Sequence, residues 1–405
     1  MSRFKFYAKL AILAIVLMTT LHLAYPSAPS IWHLSRVAAG YQHTATSNAH
    51  THLKEDKAEP TYDKGDQQGP TYQPQENVAI EEESSATYAT QESVAHQIQS
   101  SSAEQSSPQA PQEPEKPKDE FDDLPEETAE ERHCFRSETQ SPDPIPKVLN
   151  FIWLNRAELS FISYLSMRAA LVSLQPDRIN LHHTGLNDDN KWLRKLRANL
   201  TLIHHDLHQE YPKQVEENWH LAHISDVMRL DMIKRDGGIY FDMDIIALQP
   251  FDNLLHSTKD VVLGHEGRNR GGLCNGILLG RKGAAFLDRW TASYNTFDVR
   301  EWNTHSVMLP AEWSIAFPEE ICTLSPQVFF WPSWGDGIEY MHRLLTDAQA
   351  RDFEKTLASH NGSMYPHQLA YHAWHQVTPQ LDSLTPEIIK TQNTRFNMLV
   401  RRFIE

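Results

Sequence analysis

The residues best suited to chemistry crowd into one stretch of this 405-residue chain, His223 to Asp244, HISDVMRLDMIKRDGGIYFDMD. Asp242 and Asp244 end it. On an extended segment, two carboxylates at i and i+2 point the same way, and at a strand end they make an anionic rim. Such a rim suits a hard divalent cation, which prefers oxygen ligands and bridges to phosphate. Upstream, Asp226 and Arg229 stand at i and i+3, neighbours on one face of a helix. Each signal alone is ordinary. D-x-D triplets are common in loops, and Asp–Arg pairs at this spacing are usually solvated. The composite A-x-x-S-D-x-x-R followed by GG-x-Y-x-D-x-D is far more specific.

The elements that must position these residues are legible. Ile224, Val227, Met228, Met232 and Ile233 recur at helical spacing and predict a helix over His223–Arg235. Asp236-Gly237-Gly238 stops it, because glycine accepts the left-handed conformation that ends helices. Ile239-Tyr240-Phe241 is a short apolar strand that delivers the Asp pair. Around it, strands are expected at Lys147–Trp153, Arg178–His182, Leu200–His204, Ile245–Leu248 and Asp260–Gly264. Helices are expected at Phe161–Leu174, Asp189–Ala198 and Gly283–Tyr294. Gly271–Ile277 reads as a glycine-rich loop entering a strand, with Asn275-Gly276 as a turn signal. Strands alternating with helices imply an α/β fold with a mainly parallel sheet, whose ligands bind beyond the carboxyl ends of the strands. Trp153 lies at such an end. Pro386–Ile404 is expected to be one amphipathic helix with a basic end.

The central stretch resembles the DXD sugar-binding region of family 32 glycosyltransferases and, more distantly, the glucosylating domains of large clostridial toxins. Ala222, Ser225, Asp226, Arg229, Gly237, Gly238, Tyr240, Asp242 and Asp244 carry the match, and the step of 16 residues from Asp226 to Asp242 fits the toxin pattern. The resemblance covers Ile145 to Asp288 well and the C-terminal part in patches. It implies a GT-A-like fold and metal-dependent, retaining transfer from a nucleotide sugar, with UDP-sugars favoured, to a glycan or glycolipid hydroxyl. Asp242, Asp244 and His372 would be metal ligands to Mn²⁺, or alternatively Mg²⁺. Trp153, which ends the motif IPK-x-x-x-x-IW, would stack on the nucleotide base. Asp226 and Arg229 would hold sugar hydroxyls, with Tyr240 and Asp242 also on the donor and Asn275 between donor and acceptor. His372 and Trp374 match an H-x-W pattern in which a late loop brings a histidine to the metal and an aromatic over the phosphates. Many family members carry histidine at the place of Asn150. The aromatic-rich stretches His305–Trp313 and Phe329–Trp334 are expected on the acceptor side.

Composition divides the chain. Mean hydropathy is -0.53, yet 40% of residues are hydrophobic, so the polar excess is concentrated in one place. Residues 1–9 are a basic tail, and Leu10–Ala24 is apolar. Residues 10–26 are therefore expected to be an uncleaved signal anchor with a cytosolic N-terminus, although the run is as short as that of a cleaved signal peptide. Residues 27–143 are expected to be a disordered acidic stem, too polar to offset its ordering entropy. It carries much of the net charge of -16, so acidity says nothing about substrate. The catalytic domain then runs over 144–405, and the whole is expected to be a single-pass Golgi membrane protein facing the lumen. Three cysteines permit one bridge, for which Cys274–Cys322 is preferred. Asn199 and Asn361 begin glycosylation sequons. There is no P-loop or dinucleotide fingerprint, and no basic aromatic patch for nucleic acid. Two rivals are a catalytically inactive glycosyltransferase-like scaffold or glycan-binding module, which filled motif positions argue against, and a phosphohydrolase, which needs further metal ligands that are missing.

Overall fold

The computed structural model describes Phe121, Leu124, residues 127–136 and residues 140–404. The expected cytosolic tail, membrane anchor and most of the stem lie outside the described residues. Among the described residues, no helix is long and apolar enough to cross a membrane.

Among the described residues, nine strands follow the chain: β1 (Val148–Trp153), β2 (Arg178–His183), β3 (Leu200–His204), β4 (Gly238–Phe241), β5 (Ile245–Ala247), β6 (Val261–Glu266), β7 (Gly272–Gly280), β8 (Ile321–Leu324) and β9 (Ala370–His372). Seven of them form one sheet in the order β3-β2-β1-β4-β7-β6-β8. Pairing is parallel except at β7, which runs antiparallel to both neighbours. The expected α/β fold with a mainly parallel sheet is therefore present. Strand polarity aims the ends of β1, β4 and β6 at one edge, where β7 begins.

Four helices matter for position: α1 (Ala129–Arg136), α2 (Phe161–Ala169), α3 (Leu221–Asp236) and α4 (Ala285–Ser293). Ser160 caps α2 by accepting from the Ser163 amide, and His220 caps α3 by accepting from the Ala222 amide. The paired glycines after α3 have separate tasks. Gly237, at φ +70, ends the helix. A Cβ on Gly238 would lie 2.7 Å from the Val148 carbonyl, so only glycine lets β4 close against β1.

Alternation along β4 splits the core in two. Ile239 and Phe241 pack with Phe151, Phe251 and Phe329, whereas Tyr240 packs with Met228, Ile233 and Trp290 from α3 and α4. Burying each such side chain contributes roughly 1.5–3 kcal/mol, which pins both α3 and β4 at the same sheet edge.

The expected strand after the Asp pair is present, but β5 lies outside the main sheet and pairs antiparallel with β9, Ile245 opposite His372. Three expectations need correction. The tail is two short helices, Pro386–Thr391 and Arg395–Val400, broken where Thr394 caps the second. Its arginines are not a free basic end: Arg402 donates to the Leu248 carbonyl at 2.7 Å and Arg401 to the Ile389 carbonyl at 2.9 Å. The stem does not stay clear of the domain either. Phe121 packs on Tyr340 with ring centroids 4.6 Å apart. Its carbonyl accepts from Trp331 Nε1 and the Tyr365 hydroxyl, and the buried Glu131 carboxylate accepts from the Ser325 amide and binds Arg270. Finally, the disulfide is Cys134–Cys322, and Cys274 is free and buried. The strand order explains this. β6 separates Cys274 on β7 from Cys322 on β8, while α1 lies directly against β8.

Candidate active site

Helix α3 crosses beneath β4 and β7 with Asp226 and Arg229 on the buried side. Arg229 is the hub. Its Nη1 donates to the Asn275 carbonyl and to Asn275 Oδ1, each at 3.0 Å, and stands 3.1 Å from Asp242 Oδ1. Its Nε and Nη2 donate back to the Ser225 carbonyl and hydroxyl. The guanidinium also lies over the Tyr240 ring, 4.3 Å from the centroid. Asn275 Nδ2 donates to Asp226 Oδ1 at 2.8 Å, and the Tyr240 hydroxyl donates to Asp242 Oδ1 at 2.6 Å. Five expected site residues (Asp226, Arg229, Tyr240, Asp242 and Asn275) thus form one hydrogen-bonded unit. Burial opposes the Arg229 charge, but Asp242, Tyr240 and Asp226 outweigh it and hold its pKa above the ordinary value. Burial raises the Asp242 pKa, with Arg229 offsetting part of the rise.

Asn275 is not in a turn. It lies within β7, and Gly276 beside it makes room for the motif: a Cβ there would stand 2.9 Å from Asp242 Oδ2.

The two motif aspartates do not share one direction. Asp242–Ile245 is a tight turn in which the Ile245 amide donates to the Asp242 carbonyl, so the i, i+2 rule for extended chain does not apply. Asp242 turns toward Arg229 and Tyr240, while Asp244 turns toward the C-terminal strand. Its Oδ2 accepts from the His375 amide at 2.8 Å and stands 3.2 Å from His372 Nε2. Burial would raise the Asp244 carboxyl, but His372 and the His375 amide bring it below its usual range. Burial would lower His372, and Asp244 reverses this to leave it raised. Among the described residues, no three His, Cys, Asp or Glu side chains converge closely enough to hold a metal. Asp244 and His372 stand as a close pair, and Asp242, turned toward Arg229, still feels the charge of both. The pair itself fits a cation, since neighbouring donors on an octahedral ion with ~2.1 Å bonds stand about 3 Å apart.

His372 does not ride on a loop. Pairing of β9 with β5 seats it beside Asp244. Trp374 follows at φ +53, with its ring centroid 4.0 Å from His372 and 6.1 Å from Phe330. Trp153 ends β1 as expected, buried in the core with its indole nitrogen unpartnered and Arg156 5.7 Å over the ring. Asn150 serves the sheet. It donates to the Ile239 carbonyl and accepts from Asn180, with His182 Nε2 at 3.1 Å.

Sequence reasoning assigned no role to several residues that border the site. Ser225 anchors Arg229. Glu266, at the end of β6, accepts from Trp334 Nε1 at 2.7 Å, and burial raises its pKa. His223 lies one turn before Asp226, and that i, i+3 spacing was the available signal.

Residues 162–260 match the family model described as a glycosyltransferase sugar-binding region containing the DXD motif. The chain is 36% identical over 256 residues to glucan organizing enzyme 1 of Cryptococcus neoformans var. grubii, covering 61% of this chain and 65% of the relative. It is 46% identical over 46 residues to cytotoxin-L of Paraclostridium sordellii, covering 11% of this chain and 2% of the toxin. The chain thus spans less than two thirds of the fungal relative and a small part of the toxin. A solved structure titled PaToxG glycosyltransferase aligns with a TM-score of 0.34 at 17% identity, covering 67% of this chain and 91% of that one.

Proposed function

We propose that this chain, which carries the DXD glycosyltransferase sugar-binding region over residues 162–260, is a metal-dependent glycosyltransferase with a GT-A-like domain. In this reading it moves a sugar from a nucleotide sugar, favoured to be a UDP-sugar, to a glycan or glycolipid hydroxyl with retention of configuration. One observation carries it: Arg229 ties Asp226, Asn275, Tyr240 and Asp242 into a single unit at the carboxyl edge of a parallel sheet.

The unit has the chemistry to hold a sugar. Carboxylates accept from hydroxyls, and the guanidinium fork fixes the acceptors in place. Because Arg229 stays charged, it offsets negative charge beside Asp242. Asp244 and His372 would hold a divalent cation, Mn²⁺ or Mg²⁺, with Asp242 nearby; such a cation supplies positive charge to a departing diphosphate. An imidazole donor favours Mn²⁺ of the two. Trp153 and Trp374 would flank the nucleotide with unpartnered indole N–H groups. No general base is assigned, because retaining transfer on one face lets the departing phosphate take the acceptor proton.

The relative named for organizing glucan makes glucans the first acceptors to try. A Golgi lumenal, type II membrane placement is proposed from the basic-flanked apolar run at the N-terminus. The Cys134–Cys322 disulfide supports an oxidising compartment. The test is a screen of nucleotide sugars with the purified protein, with and without Mn²⁺, reading donor hydrolysis and transfer to glucan oligosaccharides. Cation-stimulated release of one sugar is expected. A protein that binds glycans but turns over no donor would favour the inactive glycan-binding alternative.

A further inference from the structure

Three buried polar atoms near Asp226 have no hydrogen-bond partner among the described residues: His223 Nδ1, the Tyr294 hydroxyl and His305 Nδ1. Such atoms are uncommon, because each gives up its bonds to water. They gather around one ring. Phe297 lies 4.8 Å from the His223 ring centroid, 5.5 Å from Tyr294 and 5.2 Å from His305. Trp302 closes the outer side, edge-on to His223 at 5.0 Å. His223 is 2% exposed. Its Nδ1 stands 3.6 Å from Asp226 Oδ2, which is too long for a hydrogen bond. Asp226 Oδ1 is occupied by Asn275, and Oδ2 accepts no hydrogen bond from the described residues.

This pairing has the logic of a hydroxyl reader. A carboxylate only accepts, an imidazole N–H donates, and a hydroxyl does both. A donor and an acceptor 3.6 Å apart can both reach one oxygen set between and beside them. Resting on the glycosyltransferase reading, we propose that His223, assisted by the Tyr294 hydroxyl, is a specificity-determining residue that reads one hydroxyl of the transferred sugar jointly with Asp226. Burial, with Asp226 adding to it, raises the Tyr294 pKa, so the phenol keeps its proton and can donate. The His305 ring lies beside it, with centroids 5.2 Å apart. A histidine that merely fills space would serve as well if replaced by another ring, and this separates the two roles.

The experiment uses the full-length protein. Hydrolysis of UDP-glucose, UDP-galactose, UDP-N-acetylglucosamine, UDP-xylose and GDP-mannose identifies the best donor. That donor is then compared with its deoxy analogues at each ring position. The unaltered protein should reject one deoxy analogue most strongly, because the site groups facing that hydroxyl would be left unpaired. His223→Phe keeps a ring but removes Nδ1. It should lower kcat/KM for the parent donor by about 10- to 100-fold and leave turnover of that one analogue nearly unchanged, so the discrimination collapses at a single position. His223→Asn, which restores an amide donor, should recover part of it. Inhibition by UDP alone should not change. A His223→Phe protein that keeps the original preference at every hydroxyl overturns the proposal. So does an equal loss against all analogues with a lowered Tm, which marks a packing role. Asp226→Asn, run alongside, separates the two levels. If it turns over the best donor normally, Asp226 does not contact the sugar and this inference falls while the glycosyltransferase reading stands; if the unaltered protein hydrolyses no donor, that reading falls and this inference with it.

Discussion

Arg229 is held in more directions than any lysine could satisfy. It meets Ser225, Asn275, Asp242 and the face of Tyr240 at once, and lysine offers a point charge without the planar fork. Arg229→Lys should therefore cut donor turnover by at least ~100-fold, the scale of losing about 3 kcal/mol of charge stabilisation, with the circular-dichroism spectrum unchanged. Near-normal turnover would remove Arg229 from the machinery. The split of the motif aspartates makes a second prediction. Asp244 and His372 face each other, so Asp244→Asn and His372→Ala should each raise the Mn²⁺ concentration for half-maximal rate by ~10-fold or more. Asp242→Asn, whose carboxylate faces Arg229 and Tyr240 instead, should mainly lower kcat at saturating Mn²⁺. The check is a titration of initial rates against Mn²⁺ for all three variants. Identical shifts in all three would show that the two aspartates act as one ligand set after all.

At the scale of elements, two long-range ties hold the edges of the domain. One is the β5–β9 ribbon, which seats His372. The other is α1, fastened to β8 by Cys134–Cys322 across a sequence separation of 188 and by Glu131 beneath Ser325 and Arg270. A cross-link closing so long a loop contributes roughly 2–5 kcal/mol. Cys134→Ser with Cys322→Ser should accordingly lower the Tm by several degrees, in the absence of reductant. Truncation tests the same tie differently. A fragment beginning at Lys118 keeps Phe121, Glu131 and Cys134, whereas one beginning at Ser141 loses all three. The shorter fragment should melt earlier, because its loss exposes Trp331 and Tyr340 and leaves the Ser325 amide without its carboxylate. Equal melting of the two fragments would show that the tie adds nothing.

For the whole molecule, buried histidines set how stability depends on pH. Burial, with His205 nearby, lowers His182 to about 3. Burial, with Arg270 nearby, lowers His265 to about 4, and burial lowers His342 to about 4. All three are neutral in the folded state, while the unfolded chain takes up protons near 6.5. Stability from these groups is therefore present above pH 6.5 and lost as pH falls toward 4. Each contributes a slope of up to about 1.4 kcal/mol per pH unit. Asp242 and Glu266, both raised by burial, act in the opposite sense over the carboxylate range. Thermal unfolding from pH 7.5 to 4.5 should show the net fall, and His342→Phe, which cannot take up the proton, should make it shallower. A Tm that does not change over this range, or a variant with the same slope, would mean these rings are not held neutral.

What the sequence determined by itself is the local machinery. Helical spacing put Asp226 and Arg229 on one side of α3, two glycines ended that helix, and three apolar residues carried the aspartates to the sheet edge. Alternating strand and helix patterns predicted β1, β2 and β3 nearly to their ends. These features depend on sterics and burial within a few residues, so they leave a local signature. Tertiary structure alone decided the rest. Nothing near Asp244 announces that β5 leaves the sheet to meet β9, so the direction of the second aspartate could not be read. Nothing near Cys134 announces that α1 packs on β8, so the disulfide partner was misread and the stem boundary was placed too late. Asn275, expected at the site, also carried a turn signal because its neighbour is glycine, while the reason for that glycine is the Asp242 carboxylate across the sheet. Each of these outcomes is fixed by which distant surfaces bury one another, and pairing at a distance has no period for a sequence to display.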